Sequence, residues 1–178
     1  MSRNPAGAIL FLVIMMLLQI VVLDNVDIDG YIIPYAYVLG VIFLTFSFGR
    51  AAVMLMAFAA GAVIDLFQHT GGLQAMACTL VAFLCDPLVK VFFGIPEKDM
   101  EDFDPLQAKN SRTAGLTLLF VLILVHHFVL YFFEAMCFSA IFSVLWHALL
   151  SAVVTFAVSV VVLSLISVRS NRRQRRRF

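Results

Sequence analysis

Asp65 and His69 lie four residues apart at the end of one apolar run, and His126-His127, Tyr131 and Glu134 punctuate another. Carboxylates, imidazoles and phenols within apolar sequence are the groups that relay protons, hold ions or brace buried backbone. The adjacent histidines cannot chelate one metal ion, because neighbours on a helix point about 100° apart. His127, Tyr131 and Glu134 share a stripe at spacings of four and three, which predicts an interior hydrogen-bond ladder, with a proton relay as the alternative. Asp24-Asn25-Val26-Asp27-Ile28-Asp29-Gly30 superficially matches a calcium loop. Counted from Asn25, however, the twelfth position is Ala36, where a bidentate Glu is required, so the segment reads as an acidic turn. Cys78, Cys85 and Cys137 form no C-x-x-C pair and read as small packing residues. No span offers a metal-ligand set, a nucleophile with a positioned base, or a cytoplasmic phosphate-binding glycine loop. The chain therefore reads as non-enzymatic, without cofactor or metal.

Ala57, Gly61 and Asp65 recur at four-residue spacing, so their helix offers a stripe of small residues for close approach, ending in a carboxylate that must face protein. Thr70-Gly71-Gly72 follows, and Gly72 permits a turn with positive φ just before the next helix. Asp65 is expected to cap or brace that helix start, with a proton- or ion-linked role as the alternative. In the same helix Pro87 removes the hydrogen bond to the carbonyl of Phe83, and Asp86 before it is expected to pair with Lys90 or Arg50. Ser143, His147, Ser151, Thr155 and Ser159 form a polar line that winds around the last run and suits a tilted crossing.

These residues need a membrane to position them. At 178 residues, 63% hydrophobic and 13% charged, the chain leaves little sequence for a soluble module. Apolar runs at about 6–23, 31–48, 51–67, 73–93, 113–133 and 138–168 predict an all-α integral membrane protein of six transmembrane helices in one bundle. Pro34 is expected in the first turn of the second helix. The last run, roughly 45 Å long at ~1.5 Å per residue, must tilt or lay its first turn along the surface. In this arrangement all 12 Lys and Arg residues fall on one side. Both termini, the loop 94–112 and the basic tail 169–178 are then cytoplasmic by the positive-inside rule. The acidic stretch 97–104 is either a solvated connector or a docking segment for a basic partner. The tail meets anionic membrane lipid first, rather than nucleic acid.

The order of these pieces resembles the rod-shape-determining MreD family. The residues that carry the resemblance are Gln19 before the acidic loop, Phe48-Gly49-Arg50, Gly61-Ala62-Val63-Ile64-Asp65 through Thr70 and Gly72 to Ala75 and Ala77, and His126-His127 with Glu134-Ala135. It spans about residues 6–168. It implies a non-enzymatic component of the bacterial inner membrane in the cell-elongation, peptidoglycan-synthesis machinery. The implied direct partner is MreC, and through it MreB, the RodA-type polymerase and its penicillin-binding transpeptidase. The implied fold is akin to the substrate-binding subunits (S-components) of energy-coupling-factor transporters. Asp86 departs from the basic residue that the resemblance implies before that proline. The runner-up is a vitamin-type uptake subunit, its ligand in an outward pocket near Asp65, His69, His127 and Glu134. An ion-coupled carrier is weaker still, since no internal repeat is visible.

Overall fold

The computed structural model describes residues 5–25, 32–94, 112–136 and 141–175. The acidic stretch 97–104, most of the loop 94–112, Asp27, Asp29 and Cys137 fall outside the described residues. The helices are α1 (Pro5–Val21, followed by a 3-10 turn Leu23–Asn25), α2 (Tyr37–Thr45), α3 (Arg50–Gln68), α4 (Leu73–Phe93), α5 (Arg112–Ala135) and α6 (Ile141–Arg175). Five of them, all except α2, are long and apolar enough to cross a membrane. Leu10, Leu55, Leu66, Val91, Phe142 and Leu165 are each at least 60% exposed, whereas Gln19, Gln74, His126, His127 and Thr155 are fully buried. This inverts the pattern of a protein in water and fits a bundle whose solvent is hydrocarbon.

α2 departs most from the expectation. A helix over 31–48 is predicted, and only Tyr37–Thr45 is helical, ~14 Å at 1.5 Å per residue against a core of about 30 Å. Pro34 lies in a non-helical approach rather than in the first turn of the helix, because it cannot donate a hydrogen bond and biases Ile33 away from helical geometry. At the other end Ser47 and Phe48 both donate to the carbonyl of Leu44, a turn that leads through extended Gly49 into α3. α2 is nevertheless the most enclosed element, with Tyr37 to Ile42 and Leu44 all buried. A helix apolar on every side belongs in the middle of a bundle. α1 crosses it at Gly40, where an added Cβ would lie 2.9 Å from Leu12 Cα.

The unwound approach to α2 is stitched down by distant side chains. Gln19 Nε2 of α1 donates to the carbonyl of Pro34 at 3.0 Å, and Tyr35 N–H donates to Thr155 Oγ1 of α6 at 3.0 Å. Irregular backbone inside a membrane protein is tolerated where protein supplies such partners.

At the opposite end of the bundle, Pro87 leaves the carbonyl of Phe83 without its helical donor, and Arg50 takes that role. Its Nη2 lies 3.4 Å from Phe83 O and its guanidinium carbon 4.4 Å from the centre of the Phe83 ring. Arg50 and Lys90 also act through space on Asp86, which is half-buried. Arg50→Ala should lower thermal stability by about 1 kcal/mol, and Arg50→Lys by less, since lysine keeps the charge but loses the planar stack. The melting midpoint in detergent checks both.

α6 also exceeds its predicted limit. The apolar run is expected to end at 168, yet the helix continues to Arg175, so most of the predicted basic tail prolongs it.

Candidate functional site

The site grows from the turn between α3 and α4. His69 adopts a left-handed conformation (φ 57°), and Gly71 and Gly72 follow at φ 65° and 102°, a reversal that favours glycine. It brings α4 back against α3 but leaves the first N–H groups of α4 without helical acceptors. Gly72, at the cap position, has no side chain to offer. Asp65 supplies the cap from the preceding helix: Oδ1 accepts from Gln74 N–H at 3.0 Å and Oδ2 from Ala75 N–H at 2.9 Å, and the Thr70 hydroxyl also donates to Oδ1. A carboxylate here also meets the positive end of the α4 dipole. Gly61 makes the approach feasible, since a Cβ at that position would stand 2.5 Å from Ala75 Cα. Ala57, Gly61 and Asp65 are all buried on this seam, whereas His69, past the left-handed turn, is exposed.

From this seam a chain of hydrogen bonds runs through the bundle. His126 Nε2 lies 3.2 Å from Tyr37 Oη, whose own proton goes to Gln74 Oε1 at 2.6 Å. Gln74 Nε2 donates to Gln68 Oε1 at 2.7 Å, and Gln68 Nε2 to Asp24 Oδ1 at 2.7 Å. Gln19 Nε2 reaches the same Asp24 oxygen at 2.8 Å. Because Tyr37 spends its one proton on Gln74, His126 is the donor in their contact, and every dipole in the chain points towards Asp24. Gln19 enters the sequence reading only through the resemblance, and Tyr37 and Gln68 have no assigned role there. The available signal was the cost of an amide inside an apolar run, which sends it to a protein interior.

α5 faces two ways. His126 looks towards α2 and α4. His127 donates from Nδ1 to Ile123 O at 2.9 Å and accepts the Thr155 hydroxyl at Nε2 at 3.1 Å. Tyr131 shares a hydrogen bond with Ser151 at 2.8 Å, and Ser143 with His147 Nδ1 at 3.2 Å. In the predicted stripe on α5, His127 and Tyr131 each bond across to the polar line of α6, and Glu134 is exposed. Two cysteines join the same interior: Cys78 Sγ donates to Tyr37 Oη, and Cys85 contacts Thr45 Oγ1, each at 3.2 Å.

Two cavities flank this interior. One, of about 620 Å³, lies where α1, α3 and α5 end, with Asp24, Gln68, Tyr131, Glu134 and His147 on its walls. The other, of about 980 Å³, is a groove along the outer face of α3 and α4, lined by Met54, Phe58, Ala62, Leu66, Met76 and Leu80, and reaching Asp65 and His69 at one end. The pocket expected near Asp65, His69, His127 and Glu134 is therefore divided. Asp65 and His69 border the groove, Glu134 borders the first cavity, and His127 is fully buried and lines neither. Gly61 and Gly72 shape the α3–α4 seam, and Asp86 lies far along α4 from it, beside the Arg50 end. Among the described residues no three His, Cys, Asp or Glu side chains converge to hold a metal ion.

Fold and site together define an all-helical membrane protein with an apolar exterior and a hydrogen-bonded polar interior. Comparison with protein families, curated proteins and solved structures returns no match.

Proposed function

We propose that this chain is a non-enzymatic scaffold of the bacterial cell-elongation machinery, of the MreD type, that lies in the inner membrane and binds MreC. Through MreC it would reach MreB, the RodA-type polymerase and its penicillin-binding transpeptidase. The observation that carries the reading is the α3–α4 groove. It is apolar, about 980 Å³ in volume, and bordered by Phe58 and Leu66, which are 55% and 74% exposed, so it opens towards lipid rather than water and suits a partner's transmembrane helix. The interior favours the same reading, since Gln74, Gln68 and His127 hold side-chain partners on neighbouring helices. Six crossings with both termini cytoplasmic complete the proposal. In support, the Gln68–Asp24 bond ties the ends of α1 and α3 together, which favours a return of the chain between them through α2 and its non-helical approach.

Ala62→Phe fills the groove without touching the polar interior. It should abolish co-purification of MreC and cause loss of rod shape in cells carrying it as the sole copy, at normal membrane abundance. Retention of both would sink the docking reading. For topology, a cysteine placed at position 27 should react with a membrane-impermeant reagent on intact spheroplasts, and one at position 101 should not.

A second reading, a substrate-binding membrane subunit of a vitamin-type transporter with an energy-coupling-factor-like fold, draws support from the 620 Å³ cavity, which falls within the usual size of small-molecule sites. A small molecule retained through purification, with no bitopic partner, would favour it.

A further inference from the structure

We propose that the 620 Å³ cavity is a binding site for a small organic cation bearing several N–H donors. Three observations converge on this chemistry. First, Asp24 and Glu134 both stand on its walls, and no Lys or Arg does. The bias is built into the chain: no Lys or Arg occurs between Arg3 and Arg50, between Arg50 and Lys90, or between Arg112 and Arg169, so the helix ends that meet here have neither to contribute. At the edge of a low-dielectric bundle two carboxylates without a cation attract one strongly. Second, Tyr35 and Tyr131 add aromatic surface to the same walls, which favours an ammonium or guanidinium group over a bare carbon chain.

The third observation lies behind Asp24. Gln19 is fully buried, its Nε2 is committed to Asp24 and to the Pro34 carbonyl, and its Oε1 has no hydrogen-bond partner among the described residues. A buried acceptor without a donor is rare and costly. The polar chain described above also ends here, with every donor along it directed to Asp24. A protonated amine in the cavity supplies the missing charge and brings N–H groups to Asp24 and Glu134. The inference rests on the cavity and holds whether or not the α3–α4 groove receives MreC.

The test is isothermal titration of the full chain in uncharged maltoside micelles, where no anionic lipid competes. 1,4-Diaminobutane and spermidine are compared with butane-1,4-diol and succinate, which match the diamine in length but are neutral and anionic. At least one amine should bind at least about tenfold more tightly than the diol and succinate, and the binding should weaken as salt rises. Glu134→Gln, on an exposed side chain, should weaken amine binding about tenfold or more while leaving the unliganded melting midpoint unchanged. Should that variant fail to fold, the wild-type comparison and its salt dependence still decide. Amines that bind no better than the diol, an amine affinity unchanged in a folded Glu134→Gln protein, or a response to calcium chloride alone would each overturn the proposal.

Discussion

Gly61→Leu is expected to remove most of the protein from the folded membrane fraction. At this position even a methyl group collides, because an added Cβ lies 2.5 Å from Ala75 Cα, 2.6 Å from Ala75 N and 2.6 Å from Gln74 O. All three atoms are backbone, so no rotamer change relieves the contact, and α4 as a whole must withdraw from α3. Overpacking of this kind costs ~1–3 kcal/mol. The withdrawal also pulls Gln74 and Ala75 away from Asp65, so the loss of the cap adds to it. Gly61→Ala should be destabilising in the same sense and smaller. Gly49→Ala is the control: nothing lies within 4 Å of its added Cβ and its φ is −67°, so its effect should stay within about ±0.5 kcal/mol. Fluorescence-detected size exclusion and the melting midpoint in detergent read both. Normal abundance and midpoint for Gly61→Leu would contradict the close crossing.

Asp65 gives the second large effect, in graded form. Asp65→Leu leaves the N–H groups of Gln74 and Ala75 and the Thr70 hydroxyl without their acceptor, at ~1–3 kcal/mol for each buried group left unpaired. The expected outcome is a protein that fails to accumulate. Asp65→Asn is nearly isosteric but keeps only one acceptor oxygen. Since Oδ1 serves Gln74 and Oδ2 serves Ala75, the new amide must direct its own N–H groups at a backbone N–H on one side. It should fold with a clearly lowered midpoint, between wild type and the leucine variant. An Asp65→Asn protein as stable as wild type would show that a single oxygen suffices at the start of α4. Under the proposed scaffold function, a folded, fully abundant Asp65→Asn protein that still failed to support rod shape would point instead to a requirement for the charge itself.

The parts of this architecture that the sequence discloses are those set by local chemistry. Gly71-Gly72 after a run ending in Asp65 announces a tight reversal with a carboxylate nearby, and the spacing of Ala57, Gly61 and Asp65 places them on one seam. Pro87 likewise identifies the orphaned carbonyl of Phe83, although not that Arg50 would claim it. What stays hidden depends on which helices become neighbours. Val38 to Thr45 reads as part of a full-length span because hydropathy counts apolar residues and does not distinguish lipid from protein as their surroundings; the helix is short because Gln19 and Thr155 satisfy the backbone before it. The same limit divides the expected pocket. His127 and Glu134 share a helical stripe, but α6 packs over the former and leaves the latter at the cavity mouth.

The non-helical approach to α2 bears on how the chain is made. Tyr35 N–H finds its acceptor in Thr155, 120 residues later. At ribosomal rates of about 5–20 residues per second, roughly 6–24 s separate their synthesis. During that interval nine helical residues, too few to cross a bilayer alone, must wait with an incomplete set of backbone partners. This segment is therefore among the last to settle. The arrival of α6 locks it in place, so a nascent chain stalled before Thr155 would hold an unfinished centre inside an otherwise inserted protein.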